Sequence, residues 1–155
     1  MKTKFFFALF SLMVIGIQAQ NKSNALDKTF EKLMKEWYDN VDVANADWTK
    51  YYTNDACELG PDGRLTCGLK NIIDGFNEML KMADAPPKFT YKYLSHRLIN
   101  PDLAMMYFET TADIKIKGQQ FGSPTMGAAL VHKINGRWLI EFDCITPIMT
   151  MPEMK

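Results

Sequence analysis

The chain reads as an α+β fold, and three observations carry that reading. Apolar residues recur at helical spacing through the first half. From Lys88 onward they alternate with polar ones, the period of a half-buried strand. Asn135-Gly136 then separates two alternating runs, a strong hairpin signal. Helices first and an antiparallel sheet after them is the segregated arrangement of this class.

Residues 1–19 read as a leader rather than as part of the domain. Lys2 and Lys4 precede the apolar run Phe5–Ile17, which is shorter than the ~20 residues that span a bilayer, and Ala19 is a small residue suited to cleavage. The expectation is a signal peptide at 1–19, one domain at 20–155, and a periplasmic or secreted location; an uncleaved anchor is the alternative. The leader holds two of the 18 basic residues and none of the 18 acidic ones, so the remainder is slightly acidic. Without a basic stripe, the charge pattern argues against nucleic acid as a partner and, after cleavage, against an anionic membrane surface.

Residues 20–24 are polar. Helix one is expected over 25–41, where Leu26, Phe30, Leu33, Met34, Trp37 and Val41 form one stripe. Helix two is expected over 43–53, with Asp42 as N-cap and Trp48, Tyr51 and Tyr52 on one side, either lining a pocket mouth or packed as core. Ala56–Leu59 and Arg64–Cys67 read as strands joined by the turn Gly60-Pro61-Asp62-Gly63. Cys57 and Cys67 then lie across the hairpin or one step out of register, so a disulfide is open rather than fixed. Export would favour it, and the odd count leaves Cys144 over. Helix three is expected over 69–83, ended by Ala85-Pro86-Pro87. Strands follow at 89–99, 104–116, 125–134 and 137–146. There are no repeats and no linker.

The order of these elements is similar to that of the nuclear transport factor 2-like superfamily, which includes the SnoaL-like domains. Trp48-x-x-Tyr51-Tyr52-Thr53-x-Asp55-Ala56 carries the resemblance, with Gly68 leading to Ile72 and Phe76, Asp102-x-Ala104, and Asn135-Gly136-Arg137-Trp138-x-Ile140. It implies a cystatin-like α+β roll: three N-terminal helices packed on a strongly curved antiparallel sheet, forming a cone with an apolar pocket. It also implies a homodimer through the sheet, whose outer face would carry Met105, Tyr107, Met126, Leu130 and Leu139. The pocket is expected to be lined by Trp37, Trp48, Tyr51, Tyr52, Phe108, Ala129 and Phe142.

Members that resemble ketosteroid isomerase carry an acid just before the hairpin proline and another on the penultimate strand. Gly60 and Leu130 stand there, and Leu33 stands near their helix-one tyrosine. No carboxylate pair is therefore expected in the pocket, and no steroid isomerisation. The candidates left for acid–base work are His96 and Glu58. His96 looks inward if the Asn100-Pro101-Asp102 turn counts three residues, and Arg97 does if it counts two. Glu58 looks inward only if Cys57 and Leu59 look out. His132 is expected to point outward. Strict alternation puts Phe142 and Cys144 on the apolar face, with Asp143 between them. No metal-ligand spacing, Ser-His-Asp set or phosphate-cradling loop is present, so neither metal nor cofactor is expected. The functional expectation is an exported domain binding a small, largely apolar molecule. An acid–base enzyme and a pure dimerisation module are the alternatives.

Overall fold

The computed structural model describes residues 24–41 and 46–149. The leader 1–19, the first residues of the domain and Asp42 lie outside the described residues. Helix α1 (24–38) buries the expected stripe: Phe30, Leu33, Met34, Trp37 and, just past its end, Val41. A 3-10 turn (Trp48–Lys50) leads into strand β1 (Tyr52–Leu59), which turns back as β2 (Leu65–Cys67). Helix α2 (Leu69–Met82) follows, then the long strands β3 (Lys88–Asn100) and β4 (Leu103–Asp113). A small hairpin, β5 (Lys115–Ile116) and β6 (Gln119–Gln120), precedes β7 (Pro124–Ile134) and β8 (Arg137–Pro147).

The expected helix over 43–53 is corrected. Its described part is one 3-10 turn, and Tyr52 already belongs to a strand. The spacing of Trp48, Tyr51 and Tyr52 suits a helix, but Tyr-Tyr-Thr-Asn-Asp are all weak helix formers and the aromatic pair favours a strand. Asp47 caps the turn by accepting from the Thr49 N–H, and Ile140 N–H donates to the Tyr51 carbonyl, which joins the turn to the sheet. Two helices therefore pack on the sheet among the described residues, not three.

The six-stranded sheet runs β2-β1-β8-β7-β4-β3. It is mixed rather than purely antiparallel, because β1 lies parallel to β8. The inner face of β4 is the alternating series the sequence predicts: Ala104, Met106, Phe108 and Thr110 are buried. The strand expected to run on to Ile116 breaks after Asp113. Lys117 and Gly118 turn with φ of 52° and 76°, and the Asp84 carboxylate accepts from both of their N–H groups. That contact ties the small hairpin to the end of α2.

The core is aromatic. Trp37 meets Trp48 edge-on at 4.3 Å, and Trp48 meets Phe76 at 5.2 Å between ring centroids. Phe30, wholly buried, stands edge-on to Trp138. Gly127 is needed where it is: a Cβ there would fall 2.2 Å from the Phe108 ring.

Cys57 and Cys67 stand directly opposite in the β1–β2 register and form a disulfide. The bridge closes a loop with a sequence separation of 10. Loop-closure entropy puts its contribution at about 2–3 kcal/mol. Reduction, or Cys57→Ser with Cys67→Ser, should lower the urea-unfolding free energy by about that amount; an unchanged midpoint would mean the bridge constrains nothing in the unfolded chain.

Candidate functional site

A cavity of about 670 Å³ opens between the inner sheet face and the two helices. Its apolar wall includes Leu33, Trp37, Trp48, Phe76, Phe89 and Phe108. Ile114, Phe121 and Gly122, in and beside the small hairpin, line one part of it, and Glu58, Gly60, Asp62 and Arg64 of the β1–β2 hairpin line another. Of the expected pocket residues, Trp37, Trp48, Tyr52 and Phe108 line this space. Three others do not. Tyr51 is buried beside Trp37 without lining the cavity, and its hydroxyl meets Asn40 Nδ2 at 3.3 Å. Ala129 is fully buried and does not reach the cavity. Phe142 is carried to the other face of β8.

A single extra residue causes that last change. Leu130 pairs with Phe142 and Val131 pairs with Ile140, so Glu141 has no partner across β7. This is a β-bulge, and beyond it the alternation of β8 is inverted. Trp138 and Ile140 face inward as expected, but Asp143, Ile145 and Pro147 follow them, while Phe142 and Cys144 are half-exposed. The sequence held a sign of this: Ile140 and Ile145 are five apart, an odd number that one flat strand face cannot accommodate.

Asp143 is 5% exposed. Its Oδ2 accepts from the Tyr52 hydroxyl at 2.9 Å, and its Oδ1 has no hydrogen-bond partner among the described residues. Parallel pairing of β1 with β8 places Glu58 beside it. Burial, and then the Glu58 charge, push the Asp143 carboxyl up to about 7, while the Tyr52 hydrogen bond pulls it down. Burial also raises Glu58, helped by Asp62. Tyr52 is pushed well above the usual phenol value by burial and by Asp143, and burial lifts Tyr38 to about 12. Both phenols therefore remain hydrogen-bond donors at neutral pH. The expectation that no carboxylate pair enters the pocket is overturned. Gly60 and Leu130 are acid-free as read, but Glu58 and Asp143 supply two acids from other positions.

The candidate histidines are elsewhere. Pro101-Asp102 forms a two-residue turn, and an extra residue at Ile99 restores the inward register, so His96 pairs with Met106. Its ring is buried against Phe30, with Nδ1 2.8 Å from Asp27 Oδ1 and 2.9 Å from the Tyr93 hydroxyl. That contact fastens α1 to β3; His96 does not line the cavity. The Tyr93 hydrogen bond, ahead of His96, holds Asp27 below the usual carboxylate range. His132 points outward as expected, with Nδ1 2.9 Å from Glu141 Oε2.

The buried acid has a measurable cost. The unfolded chain sheds the Asp143 proton near its ordinary 3.8 and the folded chain near 7. Stability from the protonated form is whole below the first value and is lost as pH rises to the second, about 4 kcal/mol at most. Asp143→Asn keeps an acceptor for Tyr52 and should remove this slope. Urea unfolding of variant and wild type should agree near pH 4, and the variant should be more stable by ~2–4 kcal/mol at pH 8. Parallel pH profiles would contradict the buried-acid assignment.

No protein-family profile matches the sequence, and no curated protein matches it either. Solved structures do match. An uncharacterised Caulobacter vibrioides protein with a cystatin-like fold superposes with a TM-score of 0.68 at 16% identity, covering 79% of this chain and 89% of that one. A nuclear transport factor 2-like protein of unknown function from Pseudomonas putida gives 0.65 at 15%, covering 83% and 91%. A ketosteroid isomerase-like protein from Erwinia carotovora atroseptica gives 0.64 at 16%, covering 79% and 96%. Identities this low speak to architecture and not to activity. The chain has the nuclear transport factor 2-like, cystatin-like fold.

Proposed function

We propose that the cavity holds a small, largely apolar molecule and that Asp143 moves a proton on it. One observation carries this reading: a buried carboxylate at the wall of an apolar cavity, with one oxygen held by Tyr52 and the other unpartnered among the described residues. Apolar pockets with a few convergent polar groups are the usual form of a small-molecule site. A carboxyl near 7 suits proton transfer at neutral pH, since both of its forms are populated. Asp143 in its charged form is the base. Tyr52 orients it and supports its charge. Glu58, also raised, keeps the pair from ionising together.

Export is part of the same reading. The leader-like 1–19 suggests it, and the Cys57–Cys67 bridge supports an oxidising compartment. The homodimer through the sheet remains a proposal, supported by exposed Met126 and half-exposed Met105, Tyr107 and Leu130 on the outer face, which Phe142 joins, whereas Leu139, expected there, is buried. Sedimentation at micromolar concentration would test it, and a monomer would refute it.

A generic carbon acid tests the chemistry directly. 5-Nitrobenzisoxazole opens to a coloured phenolate when a base removes its carbon-bound proton. The protein should accelerate this over buffer, with a rate that rises with pH through the Asp143 titration. Asp143→Asn should lower it by about tenfold or more. A folded His96→Ala variant should retain it. No acceleration, or a rate unchanged in Asp143→Asn, would reject the proton-transfer reading.

A further inference from the structure

We propose that the cavity selects an apolar molecule carrying a protonated amine, seated at Asp143, and rejects a carboxylate of the same shape. The inference rests on the cavity reading above and adds the sign of the ligand's charge.

The acids that line the cavity are Glu58, Asp62 and Asp143. The described lining holds one base, Arg64. Its Nε lies 3.1 Å from Asp62 Oδ2, and its side chain is 86% exposed. The arginine is therefore neutralised at the rim and reaches water rather than the interior. An anionic ligand placed deep in the cone would meet the negative charge that Glu58 and Asp143 carry between them, with no free described cation to offset it, and like charges in a poorly solvated site repel.

Asp143 supplies the complementary half. Its Oδ2 is taken by Tyr52, and its buried Oδ1 lacks a donor among the described residues. An N–H of the ligand would complete it, and a charged donor makes the stronger hydrogen bond. The surrounding wall suits a cation as well, because Trp37, Trp48, Phe76 and Phe108 make it aromatic, and aromatic rings attract a cation. An alcohol could satisfy Oδ1 but would gain neither the ion pair nor the ring attraction. Amine, alcohol and carboxylate should therefore bind in that order.

Three probes of one shape separate the possibilities: 1-adamantylamine, 1-adamantanol and adamantane-1-carboxylate, titrated calorimetrically at pH 7. The amine should bind about tenfold or more tighter than the alcohol, and the carboxylate should give no measurable heat of binding. In Asp143→Asn the amine should fall to the level of the alcohol. Should the carboxylate bind as well as the amine, or amine and alcohol bind alike, the charge preference is wrong while the apolar-cavity reading stands. Should none of the three bind, the cavity reading itself fails and this inference falls with it. The wild-type series decides the matter even if the variant does not fold.

Discussion

The arrangement of this cavity depends on one extra residue in the last strand. Glu141 has no partner across β7, and that single insertion reverses which side chains of β8 face the helices. Without it the inner face would continue as Ile140, Phe142 and Cys144, and the cone would be closed by apolar groups. With it, a carboxylate stands where a phenyl ring would have been. Bulges re-aim side chains beside functional sites in many sheets because they change face without ending the strand. Here the change of face introduces a titratable group into otherwise apolar surroundings.

The rest of the structure makes that intrusion tolerable. β1 runs parallel to β8 and brings Tyr52 and Glu58 to the same wall. The Tyr52 hydroxyl relieves one carboxylate oxygen, so half of the polar burden is met from within the sheet. The disulfide at Cys57–Cys67 pins the hairpin that carries Glu58. Burial in these surroundings, with the Glu58 charge beside it, is the reason the Asp143 proton is held more firmly than that of an exposed aspartate. Meanwhile the Asp27–Tyr93–His96 contact has a structural part, fixing one side of α1 over the sheet.

Much of the fold was legible in the residues. The stripe from Phe30 to Val41, the alternation from Ala104 to Ala112 and the Asn135-Gly136 turn each obey one period, and the chain follows them. Cys57 and Cys67 were legible only as far as the hairpin: the turn left them opposite or one step apart, and the strand register sets them opposite. Helix two misled because Trp48, Tyr51 and Tyr52 fit helical spacing, while their neighbours favour a strand. The site was less legible for a different reason. Alternation assumes a flat ladder, and both bulges that matter break it. The extra residue at Ile99 turns His96 inward, and the one at Glu141 turns Asp143 inward. Neither residue type announces a bulge by itself. Only the odd interval between Ile140 and Ile145 hinted at the second.

The claim that Asp143 is a desolvated acid inside the cavity can be measured at the atom concerned. Carbon-13 NMR of the aspartate side-chain carboxyls, with Asp143→Asn used for assignment, follows its ionisation in the intact protein. The account predicts a midpoint at about 7, higher in pH than that of an exposed aspartate at about 3.9. A midpoint in that ordinary range would mean the carboxylate faces water, and the bulge would not place it where the geometry requires.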